Sequence, residues 1–203
     1  MDNSEKKEDR RVRRTKKLLT QALTQLMQEK QINEITVREL TDLADMNRGT
    51  FYLYYKDIFD MLEKIEDSMF STLNDILDLH KKEAAGLETR PLLKDLFVFI
   101  EENKDMVQVL LSPHGDISFL HRLFEVIREK CLQAFPSLPA EQGEADFDYR
   151  YSFLVFGTAG LIRAWVGRGC MESADRMAEL ADAMIRQGGL NTLSILDPSS
   201  KND

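Results

Sequence analysis

The sequence predicts an all-α protein: a three-helix head carrying a helix-turn-helix, followed by an α-helical body, about nine helices in all. Three observations predict it. Glycine (10) and proline (5) are scarce in 203 residues, and the prolines fall outside the periodic segments. Apolar residues recur at the spacing of one helical face through most of the chain. Helix-starting residues such as Thr36, Asn47 and Pro91 stand just ahead of those runs.

The elements follow in order. A first helix is expected over 11–28, with Leu19, Ala22, Leu23, Leu26 and Met27 on its apolar face. Ile32 and Ile35 in the linker can pin the next helix to it. Thr36-Val-Arg-Glu39 reads as a capping box, the Thr36 hydroxyl accepting a first-turn N–H and Glu39 reaching back to the Thr36 N–H. The short helix it opens is expected to bury Val37, Leu40, Leu43 and Ala44. After Ala44-Asp-Met46, Asn47 is a good N-cap for a third helix over 47–55. Two short helices joined by a turn of about three residues make a helix-turn-helix.

A fourth helix is expected from about 57 to 82, striped by Phe59, Leu62, Ile65, Met69, Leu73, Ile76 and Leu79. The likeliest break is 84–91, with Pro91 opening a helix that runs to Glu102. Leu93, Leu96, Phe97 and Ile100 share a face of that helix. Helices near 106–111 and 117–135 flank a Ser112-Pro-His-Gly115 loop, and 137–143 is a second loop. From Tyr149 to Trp165 the chain is apolar almost all round. One face carries Tyr149, Phe153, Phe156 and Gly160, the other Tyr151, Leu154, Leu161 and Trp165. Such a helix must be covered on two sides. With the amphipathic segment 173–187 (Met177, Leu180, Ala181, Met184, Ile185) it suits a four-helix homodimer interface; a single large core covering both faces is the alternative. The tail after Gly188 is expected to fray.

Charge is divided unevenly. Residues 1–64 carry 13 Lys+Arg against 12 Asp+Glu; residues 65–203 carry 14 against 23, so the formal net charge of −8 belongs to the body. Within Lys6–Lys17 eight residues are basic and two acidic. That arm is compatible with a nucleic-acid partner touching one end of the molecule, and charge alone favours a solvated tail. Two cysteines, Cys131 and Cys170, are too few for a disulfide scaffold and fit reduced thiols in a cytoplasm. No apolar run nears the roughly 18 residues that span a bilayer, so no membrane partner is expected.

The segment "MNRGTFYLYYKD" (46–57) places four aromatics in five residues, with a cation on either side. Wound as a helix, Phe51 and Tyr55 are four apart and point to the core. Arg48 and Tyr52 share another face, with Thr50, Leu53 and Tyr54 around them. Those outward groups suit a major groove: Arg reads a guanine edge, a Thr methyl touches thymine, and phenols bond phosphates. Gly49 permits close approach, Lys56 can neutralise a phosphate, and Thr36 can offer its hydroxyl and free N–H groups to another. Periodicity alone does not separate this reading from simple packing.

Residues 11–62 resemble the DNA-binding domain of the TetR (tetracycline repressor) family. The resemblance lies in "RRTKKLLTQALTQLMQEK" and "ITVRELTDLADMNRGTFYLYYKD", and most sharply in Gly49–Lys56, similar to the family's "GTLYxYF" signature. It implies a DNA-binding head over 1–56 and a ligand-sensing, dimerising body over 57–203. By position it implies Thr36, Lys56 and Tyr54 as phosphate contacts and Arg48, Gly49, Thr50 and Tyr52 as the groove-facing set, and Asn47 is counted with the DNA-binding residues. Two positions depart from the pattern. Asp45 stands where a left-handed glycine is common, and Ile58 stands where a lysine often follows. The arm Arg10–Lys17 offers compensation for the second. The body stretches "LFVFIEENKDMVQVLL" and "FLVFGTAGLIRAWVGRGCMESADRMAELA" resemble a subset that includes regulators of dihydroxyacetone kinase operons.

The chemistry of an enzyme is not visible. His80, His114 and His121 are isolated, no His-Glu-x-x-His, CxxC or glycine-rich phosphate loop occurs, and Ser112 and Ser152 lack an adjacent base. No cofactor and no metal is expected. The leading expectation is a dimeric regulator bound to a double-stranded, palindromic DNA operator and released by an unknown small-molecule effector. Candidate effector-pocket residues are Phe97, Ile100, Met106, Phe119, Phe124, Phe153 and Arg163. A transcriptional activator, and a helical ligand-binding or scaffold protein whose head has lost DNA binding, are the alternatives.

Overall fold

A computed structural model describes residues 3–82, 88–112, 117–134 and 144–187, with the side chains of 3–9, 117, 131, 134 and 144–147 left aside. The described residues are helical throughout: α1 (Asn3–Glu29), a 3-10 turn (Ile32–Glu34), α2 (Val37–Leu43), α3 (Arg48–Tyr52), α4 (Ile58–Leu79), α5 (Arg90–Glu102), α6 (Lys104–Leu110), α7 (Ile117–Ala134), α8 (Glu144–Gly167) and α9 (Ala174–Ile185). The expected break at 84–86, both loops, His114, the Cys131 side chain and the tail lie outside the described residues. Among the described residues no helix is long and apolar enough to cross a membrane. The backbone divides into two compact units, Met1–Ser71 with Val109–Phe119, and Thr72–Gln108 with Leu120–Asp203.

In the first unit the apolar face of α1 is buried as its spacing requires: Leu19, Ala22, Leu23, Leu26 and Met27 are all in the core. α1 begins eight residues earlier than expected, because 3–10 holds no Gly or Pro and its Lys and Glu are good helix formers. α2 turns a different face inward. Leu40 and Thr41 are buried, Val37 and Ala44 half-buried, and Leu43 is exposed. A buried threonine is tolerated because its hydroxyl donates to the carbonyls of Val37 (2.8 Å) and Arg38 (3.0 Å). Half of the expected capping box forms. The Glu39 N–H donates to Thr36 Oγ1 at 3.2 Å, but the Glu39 carboxylate pairs instead with Lys30. In α4 the buried apolar set is Ile58, Met61, Leu62, Met69, Phe70 and Leu73, with Phe59 and Leu79 exposed. The stripe starts one residue earlier than predicted because Asp57 caps the helix, its Oδ1 accepting the Asp60 N–H at 2.8 Å. Phe70 meets Phe119 at 4.9 Å between ring centres.

The second unit is built on α5 packed along α9. Leu93, Phe97 and Ile100 of α5 meet a face of α9 made small by Ala174, Ala178 and Ala181, so the backbones approach closely. The Thr89 hydroxyl lies 2.5 Å from Asp182 Oδ1, and Arg90 reaches Glu179 at 3.0 Å. Burial works to raise the Asp182 pKa, and hydrogen bonds from Thr89 and Arg186 outweigh it, holding the carboxyl below its ordinary range. α8 shows the two faces its composition predicts. Tyr151, Leu154, Leu161 and Trp165 are half-buried or buried, and the Tyr151 hydroxyl donates to the Phe124 carbonyl at 2.5 Å. The opposite face stays open: Tyr149, Phe153 and Phe156 are 75%, 65% and 59% exposed.

Candidate nucleic-acid interface

The helix-turn-helix is set by three local devices. First, α2 stops in a left-handed turn. Asp45 has φ +51°, Met46 N–H donates to the Thr41 carbonyl at 2.9 Å, and Asp45 N–H to that of Asp42 at 3.3 Å. Asp45 thus takes the conformation for which glycine is common in the resembling family, at the modest strain an aspartate tolerates. Second, Asn47 is extended (φ −77°, ψ 142°) and its Oδ1 accepts the Gly49 N–H at 2.8 Å, which starts α3. Third, α3 ends after five residues, shorter than the expected 47–55. Tyr54 and Tyr55 N–H both turn back to the Phe51 carbonyl, and Lys64 Nζ donates to the Tyr54 carbonyl at 3.1 Å.

Phe51 and Tyr55 are buried as their spacing predicts. Phe51 meets the Tyr52 ring edge-on at 5.4 Å and the Tyr55 ring at 5.5 Å. Burial pushes the Tyr55 phenol pKa up, and the charge of Asp60 and the nearby Tyr54 add to it. Asp60 accepts from Lys64 Nζ (2.8 Å) and from the Lys56 N–H (2.9 Å), in that order of effect, and both hold its carboxyl below the usual range.

The surface around α3 is open. Thr36, Asn47, Arg48, Gly49 and Lys56 are exposed, Tyr52 is 58% exposed, and Thr50 and Tyr54 are half-buried. Arg48 and Lys56 form no ion pair among the described residues, although the Lys56 charge helps to hold the Asp60 carboxyl down, whereas Arg38 pairs with Asp42 at 3.7 Å. The Asn47 oxygen is taken by its cap, which leaves its NH2 to donate outward. Ile58 is buried, so this position faces the core rather than a phosphate. Leu53, placed by sequence reasoning on the outward face, is exposed beside Tyr52, whereas two contacts between lysines and rings were not foreseen. Lys64 lies 5.6 Å from the Tyr55 ring centre and Lys16, from α1, 5.8 Å from that of Tyr54. Their separation in sequence from the rings hides both contacts.

Nothing inside the chain calls for Gly49. A Cβ there meets only Asn47 Oδ1, at 3.4 Å, an ordinary contact, and its φ is not in the left-handed region. Gly49→Ala is therefore expected to stabilise the fold by about 0.4–1 kcal/mol through the unfolded chain. It is also expected to weaken any binding that brings a partner's backbone against α3. Thermal melts together with binding titrations check both; a loss of stability would contradict this account of the site.

The effector candidates differ in burial. Phe97, Ile100 and Met106 are buried, Phe124 is half-buried against Phe156 (4.8 Å), and Phe153 and Arg163 are exposed. Phe119 sits in the core of the first unit. A hollow of about 410 Å³ lies between α8 and α9, lined by Phe153, Leu154, Gly157, Leu161, Ala181 and Met184 among others, and Phe153 alone belongs to the expected set. Among the described residues no cluster of His, Cys, Asp and Glu suits a metal ion.

Residues 88–187 match the TetR-type family described as "Transcriptional regulator C-terminal region". The chain is 24% identical over 178 residues, 82% of its length, to the HTH-type transcriptional regulator YxbF of Bacillus subtilis strain 168. Residues 88–187 thus carry a C-terminal region of the TetR type of transcriptional regulator. The chain spans 43% of the length of YxbF. Two solved structures share the fold of this chain. The transcriptional regulator FadR from Bacillus subtilis, in complex with stearoyl-CoA, is 14% identical with a TM-score of 0.57, covering 83% of this chain and 96% of that one. The dihydroxyacetone kinase operon activator DhaS is 18% identical with a TM-score of 0.56, covering 87% and 97%.

Proposed function

We propose that this chain is a TetR-family regulator, a homodimer that binds a palindromic operator in double-stranded DNA and represses transcription until a small molecule releases it. The observation that carries the DNA-binding reading is the open face of α3, where Arg48, Tyr52 and Lys56 are exposed, neither cation is in an ion pair among the described residues, and Gly49 serves no internal need. The head over 1–56 would place α3 in the major groove. There Arg48, Gly49, Thr50 and Tyr52 would meet base edges, with Asn47 donating nearby and Thr36, Tyr54 and Lys56 on phosphates. The test is a titration of the protein with its own upstream DNA and with random duplex at moderate salt. Arg48→Ala is expected to cost roughly 1–3 kcal/mol at the specific site and to narrow the gap to random DNA. Equal affinity of the unsubstituted protein for both duplexes would end this reading.

The body, over 57–203, is assigned dimerisation and ligand sensing. The open α8 face and Met184 of α9 form an apolar surface that a second copy would cover by four-helix packing. Sedimentation showing a monomer at micromolar concentration would remove the dimer. Two heads would then be set about 34–36 Å apart, to match half-sites one turn apart. A ligand releases such a dimer by binding one head separation more tightly than another. Ligand-lining candidates in the second unit are Phe97, Ile100, Met106, Phe124, Phe153 and Arg163. FadR, solved with stearoyl-CoA, supports an effector with a long apolar part. Activation from the same bound site is the second reading, favoured by the likeness to DhaS, and a reporter assay with the gene deleted gives its sign. A cytoplasmic setting follows from both readings.

A further inference from the structure

Two lysines flank the neighbouring rings of Tyr54 and Tyr55, which stand 6.4 Å apart. Lys64 is engaged inside the chain. Its ammonium lies near the Tyr55 ring and donates to Asp60 and to the Tyr54 carbonyl, so its charge is balanced locally. Lys16 differs. It comes from α1, its ammonium stands 5.8 Å from the Tyr54 ring centre, and it has no carboxylate partner among the described residues. A cation on a ring face is held by the ring's negative quadrupole, which fixes the ammonium without neutralising it. The holding ring is two residues from Lys56, another exposed cation that forms no ion pair among the described residues. Pre-placing a flexible lysine lowers the ordering cost of a later contact.

We propose that Lys16 is a phosphate-binding residue of the DNA interface, seated by the ring of Tyr54, so that α1 contributes directly to the surface formed around α3. This rests on the DNA-binding reading above. Of the six cations in Arg10–Lys17, Lys16 is the one whose ammonium meets a ring of that surface among the contacts described. Lys17, the next residue, is turned by about 100° round the helix.

The test uses the full chain and measures affinity for the upstream duplex and for random duplex between about 50 and 200 mM salt. Lys16→Gln is expected to weaken both duplexes and to lower the slope of log affinity against log salt by about 0.9 per bound chain, the mark of one lost phosphate contact. Lys16→Arg keeps the slope, and Lys17→Gln keeps it too. Tyr54 gives the independent arm. A neutral phenol releases no counterion, so Tyr54→Phe leaves the slope unchanged while Tyr54→Leu, which unseats Lys16, lowers it. A merely structural role for Lys16 would move the melting temperature and not the slope. An unchanged slope in Lys16→Gln, or an equal fall in Lys17→Gln that marks diffuse charge, overturns the inference while leaving DNA binding intact. Failure of the unsubstituted chain to bind DNA at all overturns both.

Discussion

Phe51→Ala is expected to destabilise the first unit by about 3–5 kcal/mol, the usual range for deleting a fully buried aromatic ring. Phe51 is 0% exposed and touches the rings of both Tyr52 and Tyr55. Its effect is large because α3 is only five residues long. A helix of that length cannot hold itself in water, and its position depends on tertiary packing. Phe51 is the one buried residue of α3, so truncating it removes the anchor of the whole helix. A loss of this size is comparable with the total stability of many domains. Urea unfolding followed by far-UV circular dichroism checks it. Tyr52→Ala, one residue on, gives the contrast. It loses an edge contact of about 0.5–1.5 kcal/mol and leaves the fold in place, while removing a group from the proposed DNA-facing surface. If both substitutions shift the midpoint equally, the division of this helix into an inward and an outward face is wrong.

That division was legible because it follows from spacing. Residues 51 and 55 are four apart, and a helical or near-helical path puts them together whatever ends the helix. The helix end itself was not legible, since it depends on Lys64 reaching the Tyr54 carbonyl from ten residues away. α2 shows a second limit. Hydrophobicity favours Leu43 over Thr41 as a core residue, but a threonine that bonds to two carbonyls of its own helix is buried without loss. The face of α2 is then decided by the geometry around Leu40 rather than by composition. Ile58 is a third case. Resemblance made it a missing lysine, whereas the structure makes it a core residue at the start of α4. In the body, composition announced two faces of α8 and the structure leaves one of them open. The hollow between α8 and α9 could not be read from either helix alone, because its wall alternates between them.

Trp165→Ala carries an expected loss of about 3–5 kcal/mol in the second unit. Trp165 is 2% exposed and the only tryptophan in the chain. Its ring meets Phe97 of α5 at 5.3 Å and 76°, an edge-to-face pair, and its indole N–H donates to the Glu172 carbonyl at 3.0 Å. The second bond ties the loop after α8, in which Gly169 is left-handed (φ +77°), to the helix it leaves. The side chain therefore joins α8, α5 and the approach to α9. Two smaller substitutions separate its roles. Trp165→Phe retains a ring against Phe97 but leaves the Glu172 carbonyl without its donor, a loss of about 1 kcal/mol from the hydrogen bond beyond the change in volume. Phe97→Leu removes the ring pair and keeps the indole bond. A double-mutant cycle between 97 and 165 is expected to show coupling of about 0.5–1.5 kcal/mol beyond area burial, because the edge-to-face geometry needs both rings. Circular dichroism is the measurement to use, since the substitution removes the fluorescent probe. For a chain of this length each kcal/mol moves the melting point by roughly 2–4 °C, so the alanine variant should melt on the order of 10 °C lower. A shift of only a degree or two would mean that Trp165 fills space without organising the body, and the same variant would then leave any effector response intact.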